Sequence, residues 1–229
     1  MALEVKQVVD RLKSLGNPRA VEGMARFGVQ SSNSFGVSVP TLRTLASEVG
    51  RNHTLALKLW ETGLHDARLL ATMIDDPRQV TVDQMDKWVG DLDSWDVVDG
   101  SCGNLFDKTP FAVAKAKEWC KRDEEFVKRA GFVLMAELAV HDKNAKDQVF
   151  LDFLPLIVGG ASDKRNFVKK AVNWSLRQIG KRNLKLNKAA ASTALKIRKI
   201  ESGSAKWIAS DALRELKSPQ VLKRLRDSK

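Results

Sequence analysis

Three segments of the chain open alike at intervals of 41 and 40 residues: Phe126-Val-Lys-Arg-Ala-Gly-Phe-Val-Leu, Phe167-Val-Lys-Lys-Ala-Val-Asn-Trp-Ser-Leu and Trp207-Ile-Ala-Ser-Asp-Ala-Leu-Arg. Each starts on an aromatic and continues with small residues at helical spacing. Two looser members, Asp66-Ala-Arg-Leu-Leu-Ala and Trp95-Asp-Val-Val-Asp-Gly, precede them at shorter intervals. A chain that repeats itself at this period must bury one repeat against the next, because a single helical pair cannot cover its own apolar face.

The apolar positions around these segments keep a helical period almost throughout, and no alternating run is long enough for a sheet. Helices are predicted at about 3–15, 18–27, 40–50, 53–63, 65–75, 81–91, 94–106, 110–121, 124–140, 145–157, 163–180, 187–199, 204–216 and 218–227. Gly28–Ser38, rich in Ser, Asn and Gly, reads as the one irregular stretch. Ser38 with Pro40, and Thr81 with Gln84, are helix-start signals, and Ser162 or Asp163 is expected to cap a helix after a Gly159-Gly160 turn. Paired helices at a period near 40 predict an all-α, HEAT-like or armadillo-type solenoid, a single domain over residues 1–229, curved, with equivalent helices lining a concave basic groove.

Charge sharpens the functional reading. Residues 1–107 carry 11 Lys/Arg against 15 Asp/Glu, and residues 108–229 carry 28 against 13. A basic half of +15 beside an acidic half of −4 is the footprint of a polyanion partner, most often nucleic acid, or of a generally basic solvated surface. Lys128, Lys169, Lys170, Arg177 and Lys206 fall on or near the repeated helices and are the expected phosphate contacts. No segment has the length or composition of a membrane span or a basic-then-apolar leader, and a cytoplasmic location is expected. Cys102 and Cys120, with His53, His65 and His141 far apart, give no metal spacing, so no metal or cofactor is expected. The thiols read as packing groups, and the histidines as capping or surface residues. Trp60, Trp88 and Trp119 lie at apolar helical positions and read as core anchors.

The stretch Ser94-Trp95-Asp96-Val97-Val98-Asp99 carries the chemistry. Trp95 and Asp99 are four residues apart, hence neighbours on one helix face, while Asp96 points elsewhere and reads as a structural cap or pair. The pair is either a core anchor with a solvated carboxylate, or a site for a positively charged guest that meets a π-face and a negative charge together. A carboxylate beside phosphates needs a cation near it. One candidate is Arg129. Another is the oxocarbenium-like sugar formed when an N-glycosidic bond breaks, which Asp99 would stabilise while orienting or deprotonating a water. Trp95 and Trp174 would hold a cationic base or the sugar, and Arg129 a phosphate or the water.

With these motifs in order, the chain resembles the bacterial DNA alkylation repair family, HEAT-like-repeat glycosylases that release N3- and N7-alkylated purines. The resemblance runs from Met24-Ala-Arg-Phe-Gly and Gly36-Val-Ser-Val-Pro-Thr-Leu-Arg to the Trp207 repeat. Trp95-Asp-Val-Val-Asp99 matches the family's Trp-Asp-x-x-Asp segment, Phe126-Val-Lys-Arg129-Ala the helix that supplies its arginine, and the Phe167 segment the helix with its second tryptophan, here Trp174. The resemblance implies hydrolysis of the glycosidic bond of 3-methyladenine and 7-methylguanine in double-stranded DNA, with Asp99, Trp95, Arg129 and Trp174 as the catalytic residues; a monomer is expected. It also implies action on a lesion that stays stacked, unlike glycosylases that extrude it. Family members contribute an aromatic, usually tyrosine, from the first repeat. This chain has no tyrosine and offers Gly23 or Met24 there, with Phe27 nearby. A non-catalytic DNA-binding repeat protein and a protein-binding scaffold are the alternatives.

Overall fold

The computed structural model describes residues 4–29 and 32–227. Leu3, at the start of the first expected helix, and Gln30 and Ser31, in the expected loop, lie outside the described residues. The described residues form helices α1 (Val5–Ser14), α2 (Pro18–Met24), α3 (Val39–Val49), α4 (His53–Glu61), α5 (His65–Ile74), α6 (Val82–Gly90), α7 (Trp95–Asn104), α8 (Ala112–Trp119), α9 (Glu125–His141), α10 (Asp147–Gly160), α11 (Asn166–Gly180), α12 (Leu184–Arg198), α13 (Gly203–Leu216) and α14 (Pro219–Asp227). Short 3-10 turns follow α2 and α7 at Ala25–Phe27 and Phe106–Lys108. Among the described residues there is no strand, and no helix is long and apolar enough to cross a membrane.

Polar residues start several of these helices where the sequence places them. The side chains of Ser38, Asn52, Thr81 and Asn183 accept bonds from the backbone N–H groups of Thr41, Leu55, Gln84 and Leu186 at 2.9–3.3 Å. Each cap of this kind contributes about 1 kcal/mol. The Thr81 signal is half used: the Gln84 amide turns away to donate to Asp75 at 2.7 Å. The expected Gly159-Gly160 turn is absent, because α10 runs through both glycines and α11 starts only at Asn166. Asp163 instead accepts from the Arg165 backbone at 3.0 Å and from its guanidinium. Gly160 serves packing: a Cβ there would stand 2.3 Å from the Phe132 ring.

Backbone contacts divide the chain into two compact units, residues 1–109 and 110–229. In the first, α5 packs between α3, α4 and α7. Trp60 on α4 and Trp88 on α6, both buried, stack with ring centroids 4.0 Å apart and planes 3° apart. Trp60 also donates its indole N–H to Asp91 at 2.9 Å. A buried aromatic of this size is worth about 3–5 kcal/mol against alanine. In the second unit α9, α11 and α13 pack in sequence, α12 lies on α11 and α13, and α8 packs on α9. Phe126 and Phe167, which open two of the repeated segments, meet at 5.9 Å. Trp119 is buried in this unit, as Trp60 and Trp88 are in the first.

Candidate functional site

The first turn of α7 is fixed from several directions. Ser94 stands at its N-cap position, where its hydroxyl, instead of accepting a backbone N–H, donates to the Asp96 carboxylate, which itself accepts from the Val97 N–H at 3.0 Å. The other Asp96 oxygen lies 2.9 Å from His65 Nε2, on the first residue of α5. Asp96 is therefore the structural partner that its position on the helix predicted. His65 is buried at 8% exposure, so the reading of the histidines as capping or surface residues fails for this one. Burial opposes its charge, but the hydrogen bond and charge of Asp96, with the charges of Asp66 and Asp93, outweigh it and raise the imidazole above its ordinary value. Asp96 is held below its ordinary value by the reverse of the same balance: burial raises it, and His65, Ser94 and the Val97 N–H lower it further.

The adjacent Asp66 organises the first-repeat loop. Its carboxylate accepts from the backbone N–H groups of Phe35 and Val37 at 2.7 and 2.8 Å and from the Ser34 hydroxyl at 3.0 Å. Gly36 in this loop has φ +74°, and a Cβ there would lie 2.5 Å from the Asn17 carbonyl oxygen, so the tight path demands glycine.

Trp95 donates its indole N–H to the Phe27 carbonyl at 2.9 Å. This bond brings a first-repeat aromatic residue, 73% exposed, beside the Trp95 indole. Trp95 and Asp99, one turn apart on α7, are both partly exposed. Phe27, His65 and Asp66 are the residues of this region that local spacing alone could not assign, since Phe27 meets Trp95, His65 meets Asp96 and Asp66 meets Phe35, each across about thirty residues or more of chain.

The remaining expected residues lie in the second unit. Arg129 on α9 is buried at 5% exposure, and its guanidinium donates to the Phe167 carbonyl in the first turn of α11 at 2.7 Å. Trp174 stands two turns further along α11, half-buried. Lys128 lies 3.6 Å from Asp163, a carboxylate held below its ordinary value chiefly by its hydrogen bonds to Arg165. The Lys169 ammonium sits 4.9 Å from the centre of the Trp207 ring, Lys170 is exposed, and Lys206 is exposed and 3.7 Å from Glu201. Arg177 differs from these. It meets Glu215 at 2.5 Å and Asp211 at 3.8 Å, and Glu215 also accepts from Lys181 at 2.7 Å, so its charge is largely answered within the unit. Cys102 and Cys120 are buried, and burial pushes the Cys120 thiol up to about 11, which keeps it a protonated packing group.

A family model described as DNA alkylation repair enzyme matches residues 8–216, nearly the whole chain. The chain belongs to that family. Two curated relatives, Uncharacterized protein Lmo0209 of Listeria monocytogenes and Uncharacterized protein Lin0241 of Listeria innocua, are each 24% identical over 135 residues. The match takes in 57% of this chain and 60% of each relative, so it spans about three-fifths of their length. A solved structure described as belonging to "a new family of proteins related to the HEAT-like repeat DNA glycosylases with affinity for branched DNA structures" has a TM-score of 0.76 at 20% identity. It covers 93% of this chain and 95% of its own. The all-α, HEAT-like-repeat fold of this DNA alkylation repair family member is therefore the fold that the 40-residue period predicted.

Proposed function

We propose that the protein is a DNA glycosylase that hydrolyses the N-glycosidic bond of cationic N3- and N7-alkylated purines in duplex DNA. The observation that carries this reading is the placement of Trp95 and Asp99: one helix face, partly exposed, on a turn locked by His65, Ser94 and the Phe27 carbonyl. A carboxylate one turn from an indole suits a reaction in which positive charge moves from base to sugar.

The alkylated base is already cationic and leaves with the electron pair of the glycosidic bond, so it needs little activation. The sugar becomes oxocarbenium-like, and Asp99 stabilises that charge and takes the proton of the water that adds to the anomeric carbon. Trp95 faces the cation. The family resemblance assigns Arg129 to a phosphate or the water and Trp174 to the base or sugar. Lys128, Lys169, Lys170 and Lys206 neutralise phosphates, and Arg177, already paired, contributes least.

Single-turnover release of 7-methylguanine from an oligonucleotide duplex tests this. Asp99→Asn is expected to slow release at least about 100-fold while leaving the melting temperature and duplex affinity intact. Full release by a folded Asp99→Asn variant would sink the assignment.

The solved relative's described affinity for branched DNA favours a second reading, in which this chain binds branched DNA without excising a base. Tighter binding to a four-way junction than to linear duplex, with no base release by the wild type, is the outcome that selects it.

A further inference from the structure

Trp207 is the repeat-opening aromatic of α13, and it is 42% exposed. Its counterparts in the two preceding repeats, Phe126 and Phe167, cover each other at 5.9 Å and act as inter-repeat anchors. Trp207 is left exposed instead, and exposed aromatic surface on a helix calls for a reason. The helix does not depend on it for anchoring: Ala205, Ile208, Ala209 and Ala212 are fully buried, and Asn173 on α11 donates to the Ile208 carbonyl at 3.3 Å.

The surroundings give the indole a chemistry. The Lys169 ammonium lies 4.9 Å from the ring centroid, within cation–π range, and among the described residues it has no acidic partner. Lys206 precedes Trp207 and is exposed, as is Lys170 beside Lys169. Exposed aromatic area flanked by cations fits a ligand that has a flat ring and a phosphate in each repeating unit. Aromatic stacking on a base requires a free base face, which a paired base inside a duplex does not offer.

We infer that Trp207 is a stacking platform for an unpaired nucleobase, with Lys169, Lys170 and Lys206 placed for the adjoining phosphates. This deepens the nucleic-acid reading above and rests on it, but not on base excision. It adds a contact that discriminates unpaired from fully paired DNA.

The test compares the wild type with Trp207→Leu, which keeps apolar bulk, and Trp207→Phe, which keeps a ring. Affinity is measured for a duplex with a short single-stranded gap and for the same duplex fully paired. Trp207→Leu is expected to lose about tenfold for gapped DNA and little for paired DNA, and Trp207→Phe to recover most of the loss. Equal loss on both substrates, no loss on either, or a wild type that binds no gapped DNA would each overturn the inference. Release of 7-methylguanine from paired duplex, measured on the same variants, reports on the glycosylase reading separately, so failure of one is distinguishable from failure of the other.

Discussion

His65 and Asp96 form the pairing that holds the head of α7 in place, and their shifts have opposite signs. His65 is raised above its ordinary 6.5, so its contribution is complete below that value and is lost as pH rises through the folded-state value. Asp96 is lowered from 3.8, so its contribution is complete above 3.8 and is lost as pH falls through the depressed one. The pair therefore stabilises most between about pH 4 and 6.5. Replacing His65 by Gln is expected to cost about 1–3 kcal/mol in that window. Thermal melts of wild type and variant should differ more at pH 5.5 than at pH 8.5, and an equal difference at both would show that the imidazole acts by packing alone. That Trp95 and Asp99 stand one turn apart on the same helix was legible from their four-residue spacing. The His65 contact was not, because it spans 31 residues and local periodicity carries no such information.

At the scale of elements, helix existence and order followed from apolar period and capping residues, whereas glycines misled. Gly159 and Gly160 read as a turn because glycine permits one, yet nothing in their own sequence reveals that Gly160 is needed for the approach of Phe132. Gly131 is a sharper case. A Cβ there would lie 2.2 Å from the Cys120 backbone nitrogen, where α9 packs on the end of α8. Backbone cannot swing aside as a side chain can. Gly131→Ala is expected to destabilise by about 2 kcal/mol or more, outweighing the roughly 1 kcal/mol that alanine gains in a helix. Gly159, where a Cβ would meet nothing within 4 Å, is the control: Gly159→Ala should be neutral or stabilise by up to about 1 kcal/mol. Denaturant titration of the two variants checks both signs.

Over the whole molecule, the charge asymmetry follows the division into units. Residues 110–229 carry 27 Lys/Arg against 13 Asp/Glu, a net of +14, while residues 1–109 carry 12 against 15, a net of −3. If the second unit supplies the phosphate contacts of the proposed DNA complex, Lys169→Ala with Lys170→Ala should weaken duplex binding and reduce the slope of log affinity against log salt by about 1–2. Arg177→Ala should change that slope far less, because Glu215 and Asp211 already answer its charge. Binding at several ionic strengths measures both. The excess of basic residues in the second half was plain in the sequence. Which of them are already spent on carboxylates was not, since Arg177 and Glu215 meet across two helices and 38 residues.

The stacked indoles of Trp60 and Trp88 give the first unit a chromophore of its own. At 4.0 Å and 3° their electronic transitions couple, so their near-ultraviolet circular dichroism depends on the two rings staying together, whereas Trp119 reports from the second unit. Disappearance of the coupled band during heating marks the melting of α4 against α6, and its temperature set beside that of the helical signal tells whether this protein loses its structure in one step or in two.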